Sequence, residues 1–361
     1  MMELRTKAIP SPVKFTFMIV KVLVKLAIVI ALTYLCLDAL NGKMAAFLDN
    51  ERKAVFEGTN KHGLLDYHYE GQFNEMYEQQ VGADIILIGT SHITHGVNPK
   101  YLEKPGRKFF NFALNGGAPS YYKAWYNNVF KKSNYPKPKA IIYGVEWFMF
   151  DDNWLWRRIE MDGKYMREVI PVEEIDVKWY DIDGMTTVLF NRIPLIYARD
   201  RMPEVFFPKK EEEKPAPQRI RDSNGNITTS YYNGYIPYEW PYNGTSSEQV
   251  LCGDNPKVYE DFISLLDQFK DEGIPVIFVM TPEYIAGRDA VQFDEKLAII
   301  EEIAEKYDIP FLNYNVELYS GINEDSSNFS DWGHLNEKGS TLFSQQLAKD
   351  LEPYISGLFE E

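Results

Sequence analysis

Residues 84–89 read Asp-Ile-Ile-Leu-Ile-Gly, and Thr90, Ser91 and His92 follow directly. A short continuous run of aliphatic residues that ends at a glycine is typical of a strand buried on both faces. In open α/β sheets, ligands bind at the carboxyl ends of such strands, where the chain turns into the next helix. This segment therefore predicts a parallel α/β sheet with Ser91 at the edge that carries the functional site.

The rest of the chain continues this pattern, with apolar runs and amphipathic segments in alternation. Strands are predicted at residues 107–112, 140–147, 274–280 and 310–314, and helices at 120–131, 255–272, 289–307 and 336–351. Strands that alternate with helices favour a parallel sheet covered on both faces. We therefore predict a three-layer α/β/α domain over residues 81–355.

The N-terminal segment has the composition of a membrane anchor. Residues 15–40 are strongly apolar, and residues 26–37 carry no charge, which meets the length of about 20 residues that a bilayer requires. The cations Arg5, Lys7, Lys14, Lys21 and Lys25 all lie on the N-terminal side. Because cytoplasmic flanks are rich in lysine and arginine, residues 1–40 predict a single-pass anchor with a cytoplasmic N-terminus and an extracellular domain.

Two alternatives for this segment are weaker. A cleaved signal peptide would need a small-residue cleavage site after the apolar run, and none is convincing here. A buried core helix would show one polar face, whereas residues 26–37 are apolar all round. We therefore favour an uncleaved anchor in the cell membrane.

Two further regions differ from the alternating pattern. Residues 41–80 are mixed and polar, which predicts a stalk with helical pieces, and residues 150–250 are rich in proline, glycine and aromatic residues. Such a long aperiodic stretch within an α/β domain predicts an insertion, with an exposed loop at 211–218. The tryptophans could line a saccharide groove or pack in the core: Trp125, Trp147, Trp154, Trp156, Trp179 and Trp240.

Charge and cysteine content exclude several classes of protein. The formal net charge of −15 disfavours nucleic-acid binding, because an acidic surface repels phosphates. Only two cysteines are present, and Cys36 lies in the apolar run, so neither a disulfide framework nor a cysteine zinc site is expected. No glycine-rich phosphate loop occurs, and we expect neither a cofactor nor a metal. Irregular spacing makes four histidines surface or structural residues rather than metal ligands: His62, His68, His92 and His95.

Three segments carry residues suited to nucleophilic catalysis. The first is the Ser91 segment, although a serine after a strand also commonly caps a helix. The second follows the second strand and includes Asn115 and Gly116, which could offer an amide and an unobstructed backbone N–H to an oxyanion. Gly117, next in the chain, is interpreted as part of a simple turn.

The third segment is Asp331-Trp332-Gly333-His334, before the last helix. An aspartate three residues before a histidine can orient the imidazole and stabilise its protonated form. The histidine would be the base, because a serine hydroxyl is too weak an acid to ionise alone. A carboxylate neighbour should raise the pKa of His334 above about 6.5. A capping loop with a surface histidine is the alternative for this segment alone.

Together these segments resemble the SGNH/GDSL hydrolase superfamily over residues 81–149 and 255–355. The sequence Gly-Thr-Ser-His resembles its first block, with Ser91 as nucleophile, and the last block, Asp-x-x-His, matches Asp331 and His334. The sequence NFALNGG resembles the second block, with Gly116 at the oxyanion glycine. The resemblance implies an oxyanion hole built from Ser91 and Gly116, with Asn115 as a further donor.

Two positions depart from the family pattern. Glu146 stands where the third block, Gly-x-Asn-Asp, has its oxyanion asparagine, and an ionised carboxylate cannot donate a hydrogen bond. Thr90 replaces the aspartate that usually precedes the serine. The first departure puts full family activity in doubt at this position.

Within the superfamily, the anchor and the late Asp-x-x-His are similar to DltD-like proteins of teichoic-acid D-alanylation. They are also similar to anchored proteins that partner membrane-bound O-acyltransferases in exopolysaccharide modification. The resemblance implies a serine acyltransferase outside the cytoplasm, supplied by such a membrane partner, that O-acetylates or D-alanylates a polysaccharide or teichoic acid. A carbohydrate esterase with the same triad and a non-catalytic scaffold subunit are the alternatives.

Overall fold

The computed structural model describes residues 12–56, 83–151, 193–207, 233–238, 241–244, 254–285, 293–316 and 320–360, apart from 129, 133, 134 and 198. The predicted loop at 211–218, the stalk after residue 56 and most of the insertion lie outside these residues. So do His62, His68 and four of the tryptophans considered above: Trp154, Trp156, Trp179 and Trp240.

A parallel sheet forms the centre of the domain. Its strands are β1 (Ile85–Ile88), β2 (Phe109–Asn111), β3 (Ala140–Gly144), β4 (Val276–Met280) and β5 (Phe311–Asn313), in the order β2-β1-β3-β4-β5. All four neighbouring pairs are parallel. The five predicted strands are therefore confirmed in type. The third, predicted to reach residue 147, ends at Gly144 because the chain turns there, with the N–H of Met149 donating to the carbonyl of Glu146.

The helices are α1 (Pro12–Phe56), α2 (Ser91–Gly96), α3 (Pro119–Asn128), α4 (Pro194–Tyr197), α5 (Met202–Phe206), α6 (Pro256–Asp271), α7 (Phe293–Tyr307), α8 (Ser320–Asn323) and α9 (Glu337–Ile355). Single 3₁₀ turns occur at Pro99–Tyr101, Phe130–Lys132, Arg199–Arg201, Ser326–Asn328 and Ser356–Leu358. The four predicted helices correspond to α3, α6, α7 and α9. The start predicted for the third of them, at residue 289, falls outside the described residues.

Alternate residues of each strand enter two separate cores, which gives the domain three layers. Ile86 and Ile88 of β1 pack with α3, α6 and α7 on one face. Ile85 and Leu87 pack with α2 and α9 on the other. This alternation is the period of two that a strand imposes on its side chains. The α/β class with helices on both faces is thus confirmed.

Local signals set the helix ends that the sequence predicted. The side chain of Asn255 accepts a hydrogen bond from the N–H of Lys257 at 2.9 Å and so caps the start of α6. Gly273 follows α6 with φ +64°, a conformation that glycine adopts without the steric cost of a Cβ. Asn336 caps α9 in the same way, through the N–H of Gly339 at 3.1 Å.

The N-terminal helix α1 contains one segment, Thr16–Phe47, that is long and apolar enough to cross a membrane. Its described side chains up to residue 39 are exposed. Just beyond, Asn41 accepts a hydrogen bond from the N–H of Leu195 at 3.0 Å, and Met44 is buried against Phe47, Leu195 and Val205. One part of the predicted insertion, α4 and α5, therefore packs against residues 41–47 of this helix.

The strand order places a crevice at the carboxyl ends of β1 and β3. The chain steps from β1 to β2 on one side and then returns to β3 on the other, and open α/β sheets bind ligands at this reversal. A glycine stands where each of these strands reaches the crevice: Gly89 directly follows β1, and Gly144 is the last residue of β3. A Cβ on Gly144 would lie 2.0 Å from Cγ1 of Ile93 in α2, and one on Gly89 would lie 3.0 Å from Cα of Gly144.

We expect Gly144→Ala to destabilise the protein by about 1–3 kcal/mol, because the added methyl group overpacks the contact with Ile93. Thermal and urea unfolding followed by circular dichroism would measure this loss. The control is Gly321→Ala, whose Cβ would meet no atom within 4 Å. Equal stability of the two variants would contradict the close packing described here.

Candidate active site

Ser91 is the first residue of α2 and lies directly after β1. Thr90 caps the helix, because its hydroxyl accepts a hydrogen bond from the N–H of His92 at 3.2 Å. The half-buried Ser91 is fixed by this cap at the crevice between β1 and β3. Its Oγ lies 2.8 Å from Nε2 of His334, although the two residues are 243 positions apart in the chain.

The other ring nitrogen of His334 faces Asp331. Nδ1 lies 2.9 Å from both carboxylate oxygens of Asp331. Oδ1 also accepts hydrogen bonds from the backbone N–H groups of Gly333 and His334, at 2.9 and 2.8 Å. The backbone thus fixes the carboxylate, and the carboxylate fixes the ring. The fold brings together the three residues that the sequence predicted as a catalytic triad.

The loop that carries Asp331 and His334 is anchored on both sides. The N–H of Ser330 donates to the carbonyl of His334 at 2.8 Å, and the N–H of Tyr284 donates to the carbonyl of Trp332 at 2.7 Å. Trp332 is buried. A Cβ on Gly333 would lie 3.1 Å from Nε2 of His92, so the glycine lets this loop close onto α2.

Aromatic rings pack around the imidazole of His334. Tyr238 stacks on it with ring centroids 5.2 Å apart, and His92 meets it edge-on at 4.8 Å. His95 is more distant, at 6.1 Å. A ring held on several sides keeps one orientation, so the imidazole of His334 stays aligned with Ser91 and Asp331.

Tyr238 was not identified from the sequence. It lies in the short segment 233–238, whose backbone is bound to the domain: the N–H of Asn111 donates to Asn233, and the N–H of Ile236 donates to Thr94. Nδ1 of His95 contacts the carbonyl of Ile236 at 2.7 Å. The aromatic density of the predicted insertion was the available signal, but it did not distinguish one tyrosine from another.

The burial of His334 lowers its pKa below the ordinary value of 6.5, and the positive charge of His92 acts in the same direction. The hydrogen bond to Asp331 opposes this change but does not outweigh it. The expectation that the pKa of His334 would be raised is therefore wrong, because it considered the carboxylate neighbour and not the desolvation of the ring.

Burial alone would raise the pKa of Asp331, but the hydrogen bonds from His334 and from the backbone N–H groups outweigh burial and lower it. At neutral pH the pair is consequently a carboxylate and a neutral imidazole. A neutral imidazole can accept the hydroxyl proton of Ser91, which is what a general base requires.

A second ionisable cluster lies beneath this site. His92, Glu146 and Glu283 are all buried, and Nδ1 of His92 lies 3.1 Å from Oε2 of Glu146 and 3.9 Å from Oε1 of Glu283. Burial lowers the pKa of His92, but the two carboxylates outweigh it and raise the pKa to about 9. His92 is therefore an imidazolium at neutral pH.

This cluster accounts for both departures from the family pattern. The hydroxyl of Thr90 donates to Oε1 of Glu146 at 3.1 Å, while Oε2 faces His92. An aspartate at position 90 would instead place two carboxylates in contact in a buried site, which is unfavourable. Glu146 is thus directed into the interior, away from the role of an oxyanion donor.

The predicted oxyanion residues Asn115 and Gly116 form a half-exposed turn after β2. The turn lies against the β1–α2 connection, where the N–H of Leu114 donates to the carbonyl of Gly89 at 3.0 Å. Gly117 is buried, and a Cβ there would lie 2.6 Å from the same carbonyl. Its interpretation as a turn residue holds, and close packing explains why it is glycine.

The remaining candidates are mostly structural. His92 and His95 are buried, which leaves the structural interpretation and excludes the surface one. Trp125 and Trp147 are core residues. Among the described residues, one group has the composition of a metal site, His92 with Glu146 and Glu283, whose ligand atoms lie within 4.8 Å of one another.

The contacts of this group are those of an ion-paired cluster. Glu146 receives the Thr90 hydrogen bond and the charge of His92. Glu283 accepts a hydrogen bond from Nε1 of Trp147 at 3.1 Å. The absence of a metal from the protein stays a prediction.

No protein-family model matches the chain, and comparison with curated proteins finds no relative. The resemblance to the SGNH/GDSL superfamily therefore depends on the three sequence motifs.

The lowered pKa of His334 predicts the pH dependence of any reaction that uses it as a base. Because the imidazole stays unprotonated as the pH falls through the ordinary histidine value, activity should persist through about pH 6.5 and decline only below it. The measurement is kcat/KM for a small activated ester as a function of pH. An acid limb with its midpoint above pH 7 would contradict a His334 whose pKa is lowered.

Proposed function

We propose that the chain is an SGNH-type serine acyltransferase that acts outside the cytoplasm and modifies the hydroxyl groups of a cell-surface polysaccharide or teichoic acid. The observation that carries this proposal is the continuous chain of contacts from Ser91 Oγ through His334 to Asp331. That arrangement is the geometry of a nucleophile, its base and the group that orients the base.

In the proposed reaction, His334 accepts the hydroxyl proton of Ser91 as Oγ attacks the carbonyl carbon of an acyl donor. The tetrahedral oxyanion is stabilised by the N–H groups of Ser91 and Gly116 and by the amide of Asn115. Collapse of the intermediate expels the leaving group, which takes the proton from His334. The product of this half-reaction is an acyl ester on Ser91.

The second half-reaction repeats these steps with the acceptor. A glycan hydroxyl gives its proton to His334 and attacks the acyl-serine carbonyl, and the Ser91 oxygen leaves and regains that proton. Asp331 keeps its charge throughout and stabilises the imidazolium that forms twice in each cycle. The ring of Tyr238, stacked on His334, adds a favourable contact to that cation.

The surroundings of the triad support a saccharide acceptor. Tyr238, Tyr242 and Tyr284 are half-buried around the loop that carries Asp331. Tyr242 and Tyr284 are in edge-to-face contact at 5.3 Å, and the N–H of Asn243 donates to Ser330 at 3.2 Å. Partly exposed tyrosines offer an apolar face and a polar hydroxyl, a combination suited to sugar rings.

The apolar segment of α1 supports transfer rather than simple hydrolysis. An anchor in the cell membrane would keep the domain beside membrane-bound O-acyltransferases, and outside the cytoplasm such a partner must supply the acyl group. The acyl group would be acetyl or D-alanyl. An esterase shares every step except the last, in which water replaces the acceptor.

Ser91 should react covalently with a fluorophosphonate probe and should hydrolyse nitrophenyl acetate. We expect Ser91→Ala to abolish the labelling and to reduce turnover by a factor of about 10⁴ or more, because the nucleophile is lost. Ser356→Ala, a change to a serine outside the site, is the matched control. Undiminished labelling of Ser91→Ala would exclude this residue as the nucleophile.

The same preparation distinguishes transfer from hydrolysis. With nitrophenyl acetate as donor and a soluble oligosaccharide as acceptor, a transferase should yield acetylated oligosaccharide at the expense of free acetate. Formation of free acetate alone, at a rate independent of acceptor concentration, would favour the esterase. Mass spectrometry of both products provides the measurement.

The proposed orientation is tested by protease accessibility. Protease added to intact protoplasts should digest the domain that follows α1, because the cations on the N-terminal side favour a cytoplasmic N-terminus. Lysed protoplasts give the control for total accessibility. Full protection of the domain in intact protoplasts would reverse the orientation.

A further inference from the structure

The buried cluster of His92, Glu146 and Glu283 takes no part in the steps proposed above, yet it lies in contact with the catalytic base. The rings of His92 and His334 are edge to face, with centroids 4.8 Å apart. The Nε2 side of His92 lies against Gly333. Gly333 stands between Asp331 and His334 in the chain. His92 therefore contacts Glu146 and Glu283 through Nδ1. The opposite side of its ring contacts the loop of residues 331–334, the catalytic loop.

The charged and titratable groups around these rings come from five elements. His92 faces Glu146 after β3, Glu283 after β4, and both Asp331 and His334 on the catalytic loop. His334 additionally faces His95 of α2 and Tyr238 of the segment 233–238. Three carboxylates thus share one largely buried region with three imidazoles.

The position of His92 in the chain links it closely to the nucleophile. Helix α2 begins at Ser91, so the backbone that fixes the nucleophile also fixes the next side chain. Thr90 connects the buried cluster to the helix that carries Ser91. Its hydroxyl accepts a hydrogen bond from the N–H of His92 at the start of α2 and donates one to Glu146. Any shift of Glu146 or His92 would be transmitted directly to the helix that carries Ser91.

We propose that His92 is a positioning residue, held as an imidazolium by Glu146 and Glu283, that supports the Asp331–His334 loop and places a fixed positive charge against the catalytic base. This inference rests on the proposed function only in taking His334 as the base. The carboxylates of Asp331 and Glu146 favour protonation of His334, whereas the burial of its ring disfavours it. The charge on His92 opposes the carboxylates and adds to the effect of burial, so that His334 stays able to accept a proton while Asp331 stays ionised.

This role predicts two different changes. In His92→Gln, the positive charge is lost and the carboxylates remain, so the titration midpoint of His334 should rise by about 1 unit or more. In Glu146→Gln, the main partner of His92 loses its charge, so the midpoint of His92 itself should fall. A merely space-filling role for His92 would produce neither change.

The experiment is a pH titration of ¹³C-labelled histidine side chains by NMR, on the full chain in detergent micelles. The chain has five histidines, so the signals of His92 and His334 can be assigned from the variants that lack each one. In the wild type, His92 should stay protonated through neutral pH and His334 should titrate below about 6.5. Circular dichroism of each variant verifies the fold.

His95→Gln is the matched control, because His95 is also a buried histidine of α2 and its Nδ1 contacts a backbone carbonyl rather than Glu146. Its loss should move the His334 midpoint less than the loss of His92 does. If His92→Gln does not fold, Glu146→Gln and Glu283→Gln decide the question, since each should lower the midpoint of His92.

An unchanged or lowered His334 midpoint in folded His92→Gln would overturn the proposal. So would a His92 that titrates below pH 7 in the wild type. Elemental analysis provides a third test: a stoichiometric metal that is lost in Glu146→Gln would make the cluster a metal site instead. These readouts need no turnover, so failure of Ser91 to react with the fluorophosphonate would contradict the proposed function and leave this inference standing.

Discussion

The candidate site depends on the pairing of β1 with strands on both of its sides. Ile85 is in register with Phe109 of β2 and with Ala140 of β3, so β1 is the inner strand at which the direction of winding reverses. Its hydrogen-bonding edges and both faces are occupied by protein, and only its carboxyl end opens onto the crevice. The residues after β1, β2, β3 and β4 therefore meet there, whatever their distance along the chain.

This constraint concentrates ionisable groups in a small buried volume. Glu146 follows β3, Glu283 follows β4, and the loop of Asp331 and His334 closes over them. A buried carboxylate is costly unless it is paired and hydrogen-bonded. Here Thr90 and Trp147 donate hydrogen bonds to the glutamates, and His92 supplies the compensating charge. Glu146, at the position where the chain departs from the SGNH/GDSL motif that it resembles, is thus both hydrogen-bonded and ion-paired.

Parts of the predicted insertion pack against two separate regions of the protein. One region is the N-terminal helix α1, and the other is the candidate site. Near the apolar helix, α4 and α5 bury Met44. At the candidate site, the segment 233–238 places Tyr238 on His334, and its Tyr235 is completely buried. A stretch with poor periodicity gives no warning of such contacts, because they depend on where the loop returns to the sheet and not on any local pattern.

The sequence by itself determined the α/β class, the five strands, the four long helices of the domain and the apolar N-terminal helix, and it pointed to Ser91, Asp331 and His334 as candidates. Each of these follows from a local pattern: a run of aliphatic residues, an amphipathic segment or a short motif. Only the tertiary structure decided that His92 meets Glu146 and Glu283, that Tyr238 stacks on His334, and that the pKa of His334 is lowered. Burial and charge at a point in space are sums over segments far apart in the chain, so no single stretch of sequence contains them.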